Sequence, residues 1–105
     1  MRLGEHQEQF SRDLAELIIH AYTEGYTIRM GDVFAHDGHK KGSQHYKKLA
    51  ADLNLFLDGI FITSTEGHKP LGDYWESLDD LNRWGGRYED GNHYERMQEP
   101  WRDDE

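Results

Sequence analysis

Asp90 and His93 bracket Gly91-Asn92, a pair that favours a β-turn. Such a turn brings its first and fourth Cα atoms within about 7 Å, so a carboxylate and an imidazole would meet at one spot. If the imidazole held a metal, the Asp90 carboxylate would reach a water on it. A metallohydrolase needs that arrangement, because the metal acidifies the water and the carboxylate takes its proton. On these four residues alone the plainer description is an Asx turn in a hairpin. His45 and Asp52 are a second pair to weigh. Their spacing covers roughly 23 Å as a strand and roughly 10 Å as a helix. Neither lets both side chains touch one metal whose bonds are about 2 Å long. A shared metal needs a bend between them, which periodicity does not reveal, and in isolation the pair reads as ordinary surface.

The composition leaves room for such a site. The chain has 105 residues, enough for one domain with one core. Hydrophobic residues are only 35% and charged residues 31%, a balance that disordered chains share. Three Trp, six Tyr and four Phe argue for a fold, since disordered chains are poor in such large burying side chains. There is no cysteine, so a staple for so small a domain must come from His, Asp or Glu around a metal, and seven His are present. The net charge of −9 disfavours nucleic-acid backbones and anionic lipid as partners. No apolar run suggests a signal peptide or a membrane span, so the expectation is synthesis in the cytosol.

The elements that must position these residues follow from periodicity. From Glu5 to Glu24, the residues Phe10, Leu14, Leu17, Ile18, Ala21 and Tyr22 form one helical stripe, which Gly25 ends. Tyr26 to Phe34 suits a strand through Tyr26, Ile28 and Met30, and residues 35–44 suit a polar loop. Leu49 to Leu57 alternates as a half-buried strand, with Leu53, Leu55 and Leu57 on one face and Asp52, Asn54 and Phe56 on the other. Asp58-Gly59 marks a hairpin into Ile60-Phe61-Ile62. Ser64 or Thr65 could cap a helix, but Pro70 argues for a start near Leu71, with Tyr74, Trp75 and Leu78 at helical spacing. His93 to Met97 is the expected last strand, and 97–105 the expected frayed acidic tail. The whole chain, 1–105, reads as a single α+β domain, with a long N-terminal helix packed on an antiparallel sheet.

Read together, Ser43-Gln44-His45, Asp52 seven residues after that His, and Asp90-x-x-His93 much later resemble the M15 family of zinc peptidases. The pattern of that family is S-x-H-x6-D followed by E/D-x-x-H. Arg29-Met30-Gly31-Asp32, Leu49 to Phe56, Tyr74 to Leu78, Arg83 to Tyr88 and Asp90 to Glu95 carry the likeness further, over nearly the whole chain up to Glu95. The resemblance is closest to phage lysis enzymes and to the L-alanyl-D-glutamate and D-alanyl-D-alanine peptidases. It implies a Hedgehog/DD-peptidase-like fold, with one zinc held by His45, Asp52 and His93 and Asp90 as general base. It also implies cleavage of peptidoglycan stem peptides, between L-Ala and D-Glu, by a monomer reaching the cell wall after holin-type release. The alternatives are a D-Ala-D-Ala carboxypeptidase and a non-catalytic zinc-binding module.

One departure stands out. Relatives place an Arg shortly after the first strand to polarise the scissile carbonyl, and here Ala35 follows Val33-Phe34. Arg29, Lys40, Lys41 and Arg87 are the available substitutes. Ser43 is expected to orient His45, contact substrate or cap its loop. Trp84-Gly85-Gly86 is expected to allow a close backbone approach beside the site, with Trp84 in the core or at a cleft wall. Glu95, two residues after His93, shares its face on a strand and is placed to hold that imidazole. His36 and His39 read as solvated loop residues, His6 and His20 as surface, and His68 as core or cleft lining.

Overall fold

The computed structural model describes residues 1–33 and 44–102. Helix α1 spans Leu3–Thr23 and opens where Glu5 Oε1 accepts the backbone N–H of Arg2 at 2.8 Å. It closes before Gly25, whose φ of 95° is open to glycine at little cost. The buried stripe is His6, Phe10, Asp13, Leu17 and Ala21. His6 therefore departs from its expected place on the surface. It sits one turn before Phe10 on the inward face and accepts a hydrogen bond from Arg96 Nε at 3.1 Å.

Strand β1 is Tyr26–Met30, shorter than expected, and Met30 is half exposed. A 3-10 turn, Gln44–Lys47, leads to β2, Ala50–Leu57. Asp58 and Gly59, at φ 51° and 77°, make the hairpin turn into β3, Ile60–Phe61. Helix α2 spans Thr65–Leu78, starting earlier than Pro70 suggests. Ser64 Oγ accepts the Gly67 N–H at 3.1 Å, which caps the helix. Burial of His68, Leu71 and Trp75 outweighs the single backbone bond that Pro70 forgoes. Strand β4 is Asn82–Trp84, a 3-10 turn covers Gly85–Tyr88, and β5 is His93–Arg96.

The sheet runs β1-β2-β5-β4, with β3 also on β2, and every pair is antiparallel. Ala51, Leu53, Leu55 and Tyr94 face the helices and pack with Phe10, Leu17, Leu71 and Trp75. This is the expected α+β domain, an N-terminal helix on an antiparallel sheet. The opposite sheet face carries Asp52, His93 and Glu95.

The C-terminal segment is bound as far as Arg102, contrary to the frayed tail expected from its charge. Met97 N donates to Leu81 O at 2.7 Å, and Arg102 donates to the carbonyls of Glu76 and Asp79 at the end of α2. Three guanidiniums, those of Arg83, Arg87 and Arg102, lie 4.7–5.9 Å from the Trp101 ring centre. Cation–π attraction and helix-end carbonyls thus anchor a stretch whose composition alone reads as solvated.

Candidate metal centre

Register brings the first two candidate ligands together. Asp52 on β2 lies directly opposite His93 on β5, so their side chains share one face. His45 arrives through the bend that the sequence could only require. It lies in the 3-10 turn, where His45 O accepts the Lys48 N–H at 3.2 Å and Gln44 O accepts that of Leu49 at 2.9 Å. Lys48 then adopts φ 59°, reversing the chain into β2.

Three donor atoms converge. His45 Nε2 is 3.2 Å from Asp52 Oδ1 and 3.1 Å from His93 Nδ1, and His93 Nδ1 is 3.2 Å from Asp52 Oδ1. Tetrahedral ligands at bonds of about 2.0–2.1 Å stand about 3.3 Å apart, so the triangle has a size that could hold one metal ion. His45 and His93 are buried and Asp52 is half-buried. Within the protein these groups also polarise one another. Burial pushes the Asp52 carboxyl up, but its hydrogen bond to His93 and the two imidazoles bring it below its ordinary value. Burial pushes His93 down, and its bonds to Asp52 and Glu95 outweigh that, raising it to about 9.

Glu95 is where alternation placed it. Its Oε1 is 2.8 Å from His93 Nε2, the ring nitrogen turned away from the triangle. Asp90 is exposed, and its Oδ2 lies 4.0 Å from His93 Nδ1. The Asp90–His93 turn is closed by His93 N donating to Asp90 O at 3.1 Å. Trp84 braces that turn, its indole N–H donating to Gly91 O at 2.7 Å. The close approach expected at Trp84-Gly85-Gly86 is present. A Cβ on Gly85 would collide with the Asp90 carbonyl and come within 2.7 Å of His93 Cβ.

A cleft of about 280 Å³ is lined by Asp90 together with Asn54, Ile62, Thr65, His68 and Asn92 among others. Asn92 Nδ2 donates to Asn54 Oδ1 at 3.2 Å across its floor. His68 is both buried and cleft-lining, 3.0 Å from the Tyr94 hydroxyl.

Arg87 is bound elsewhere. Its Nε and Nη2 both reach Glu76 at 2.7 Å, and Trp101 covers it. Arg29 shares the open face but rests 4.4 Å over the Phe56 ring. Ser43, Ala35, His36, His39, Lys40 and Lys41 lie outside the described residues. Residue spacing gave no hint of Arg83, which bonds the second oxygen of Glu95, or of Tyr88, whose ring centre is 6.1 Å from that of His93. Only the β4–β5 register, which sets Arg83 opposite Glu95, reveals the first.

No protein-family model matches the chain, and no curated protein matches it.

Proposed function

We propose that the protein is a zinc-dependent peptidase of the M15 type that cleaves peptidoglycan stem peptides, between L-Ala and D-Glu, in a phage or prophage lysis system. The observation carrying this reading is the His45–Asp52–His93 triangle, with Asp90 beside it and lining a polar cleft. Two imidazoles and one carboxylate form a donor set that suits zinc, and three protein ligands with an open direction are the pattern of catalytic zinc. Such an ion supplies Lewis acidity, which acidifies water and polarises a carbonyl. Asp90, exposed and unburdened by a helix or strand, takes the proton of the attacking water and passes it to the leaving amine nitrogen. Trp84 holds the turn that presents Asp90, and Glu95 orients His93. The carboxamides of Asn54 and Asn92 offer donors and acceptors to the peptide groups of a bound stem.

Metal analysis of the purified protein should give about one zinc per chain. Mass spectrometry of fragments released from purified peptidoglycan identifies the bond: L-Ala and D-Glu termini support endopeptidase action, and free D-Ala supports the carboxypeptidase. Asp90→Ala should keep its zinc and release no fragments. Zinc uptake with no fragments from the wild type would reduce the protein to a non-catalytic zinc module. A protein that takes up no zinc refutes both.

A further inference from the structure

Strands β4 and β5 set Arg83 directly opposite Glu95, and Glu95 shares the open face with His93 two residues away. Glu95 is buried, and a buried carboxylate needs partners for both oxygens. It has them. Oε1 meets His93 Nε2 at 2.8 Å, and Oε2 accepts from Arg83 Nε. Arg83 is itself in contact range of two rings, its Cζ 5.3 Å from the Tyr88 centre and 5.9 Å from that of Trp101. Trp101 sits in a segment tied to the end of α2 by Arg102. A connected series therefore runs from the C-terminal segment through Arg83 and Glu95 to the far nitrogen of His93. With Nε2–H donating to Glu95, the lone pair of Nδ1 is the one that faces Asp52 and His45.

We propose that Arg83 is a positioning residue for the metal. With the Tyr88 and Trp101 rings beside it, it holds the Glu95 carboxylate against His93 and so presents the Nδ1 lone pair to the ion. This rests on the metal-centre reading above. Arg83 touches neither the ion nor a substrate and acts only through Glu95. Its removal should therefore weaken metal binding without adding to the loss that Glu95 itself causes.

The test is zinc affinity by competition with a chromogenic chelator for the wild type, Arg83→Gln, Glu95→Gln and the double variant. Arg83→Gln should bind about tenfold more weakly and Glu95→Gln between about tenfold and a hundredfold more weakly. The double variant should match Glu95→Gln, because the two act as one unit. In zinc-loaded protein with labelled histidine, the His93 Nε2 proton should be a protected NMR signal in the wild type and exchange with water in Arg83→Gln. A purely structural role for Arg83 would not move that signal. Melts in chelator check that each variant folds. If Arg83→Gln does not fold, Trp101→Ala, which removes one ring and keeps Arg83, should show the same signal change with a smaller loss of affinity. Wild-type affinity in Arg83→Gln, or losses that add in the double variant, overturns the proposal alone. A wild type that binds no zinc overturns the metal-centre reading, and this proposal falls with it.

Discussion

His68 should make the metal-free protein lose stability on mild acidification, by an amount that follows from its surroundings. Its ring is buried between α2 and β5, with Nδ1 3.0 Å from the Tyr94 hydroxyl. Burial lowers its pKa to about 4, against an opposing hydrogen bond with the Ile62 backbone, from the ordinary 6.5. The folded state thus favours the neutral ring, and between those two values the unfolded chain binds more protons. The contribution is fully present above about pH 6.5, falls as the pH drops through that value, and is gone below about 4. A gap of about 2.5 units is about 3 kcal/mol at 1.36 kcal/mol per unit. At pH 5 the unfolded ring is almost wholly protonated and the folded ring about one-tenth so, which leaves a deficit of about 2 kcal/mol relative to pH 7. Urea unfolding at pH 5, 6 and 7 measures this, with chelator present so that metal ligation plays no part. The same series on His68→Gln supplies the reference, since every other titrating group is common to both. The wild type should lose about 2 kcal/mol more than the variant between pH 7 and 5. Parallel pH dependences for the two proteins would refute the assignment of a neutral, buried ring.

Two further outcomes follow from the site. Zinc at a hundred times its dissociation constant should add about 2.7 kcal/mol of stability. Chelation should then lower the melting temperature by about 10 °C, and an unchanged melt counts against a metal that ties the fold together. Gly85→Ala should cost about 1–3 kcal/mol and weaken zinc binding together, because the new methyl meets the Asp90 carbonyl and His93 Cβ, neither of which can swing aside. Unaltered calorimetric melts and zinc titrations for that variant would show that the turn has slack.

The elements visible from sequence are those whose signals are local. The stripe from Phe10 to Ala21 and the Asp58-Gly59 hairpin lie within a few residues of themselves, and both stand where periodicity and turn chemistry put them. The start of α2 does not, because Pro70 carries a strong local signal that Ser64 and a buried Trp75 together outweigh. His6 leaves its expected place on the surface for a similar reason. A buried Arg96 gives His6 a partner from the other end of the chain. In the candidate site, only the Asp90–His93 turn and the His93–Glu95 alternation are short-range. The His45–Asp52 approach depends on a left-handed Lys48, and Arg83 on a cross-strand register. Neither leaves a trace in residue spacing. Resemblance to a family pattern drew His45 into the same set, and the donor triangle agrees with that grouping.

The triangle closes over a long stretch of chain, since His45 and His93 are 48 residues apart. Bringing those ends together carries a loop-closure cost that the pairing of β2 with β5 helps to offset. An unfolded chain therefore offers the ion scattered single donors rather than an assembled site. An ion held by the triangle would therefore be captured late, after the strands have docked, and would stabilise the finished structure more than the folding transition state. In kinetic terms, metal should slow unfolding while leaving the folding rate nearly unchanged. Such an ion would be a latch on a door already shut, and its loss would be felt first as a shorter native lifetime.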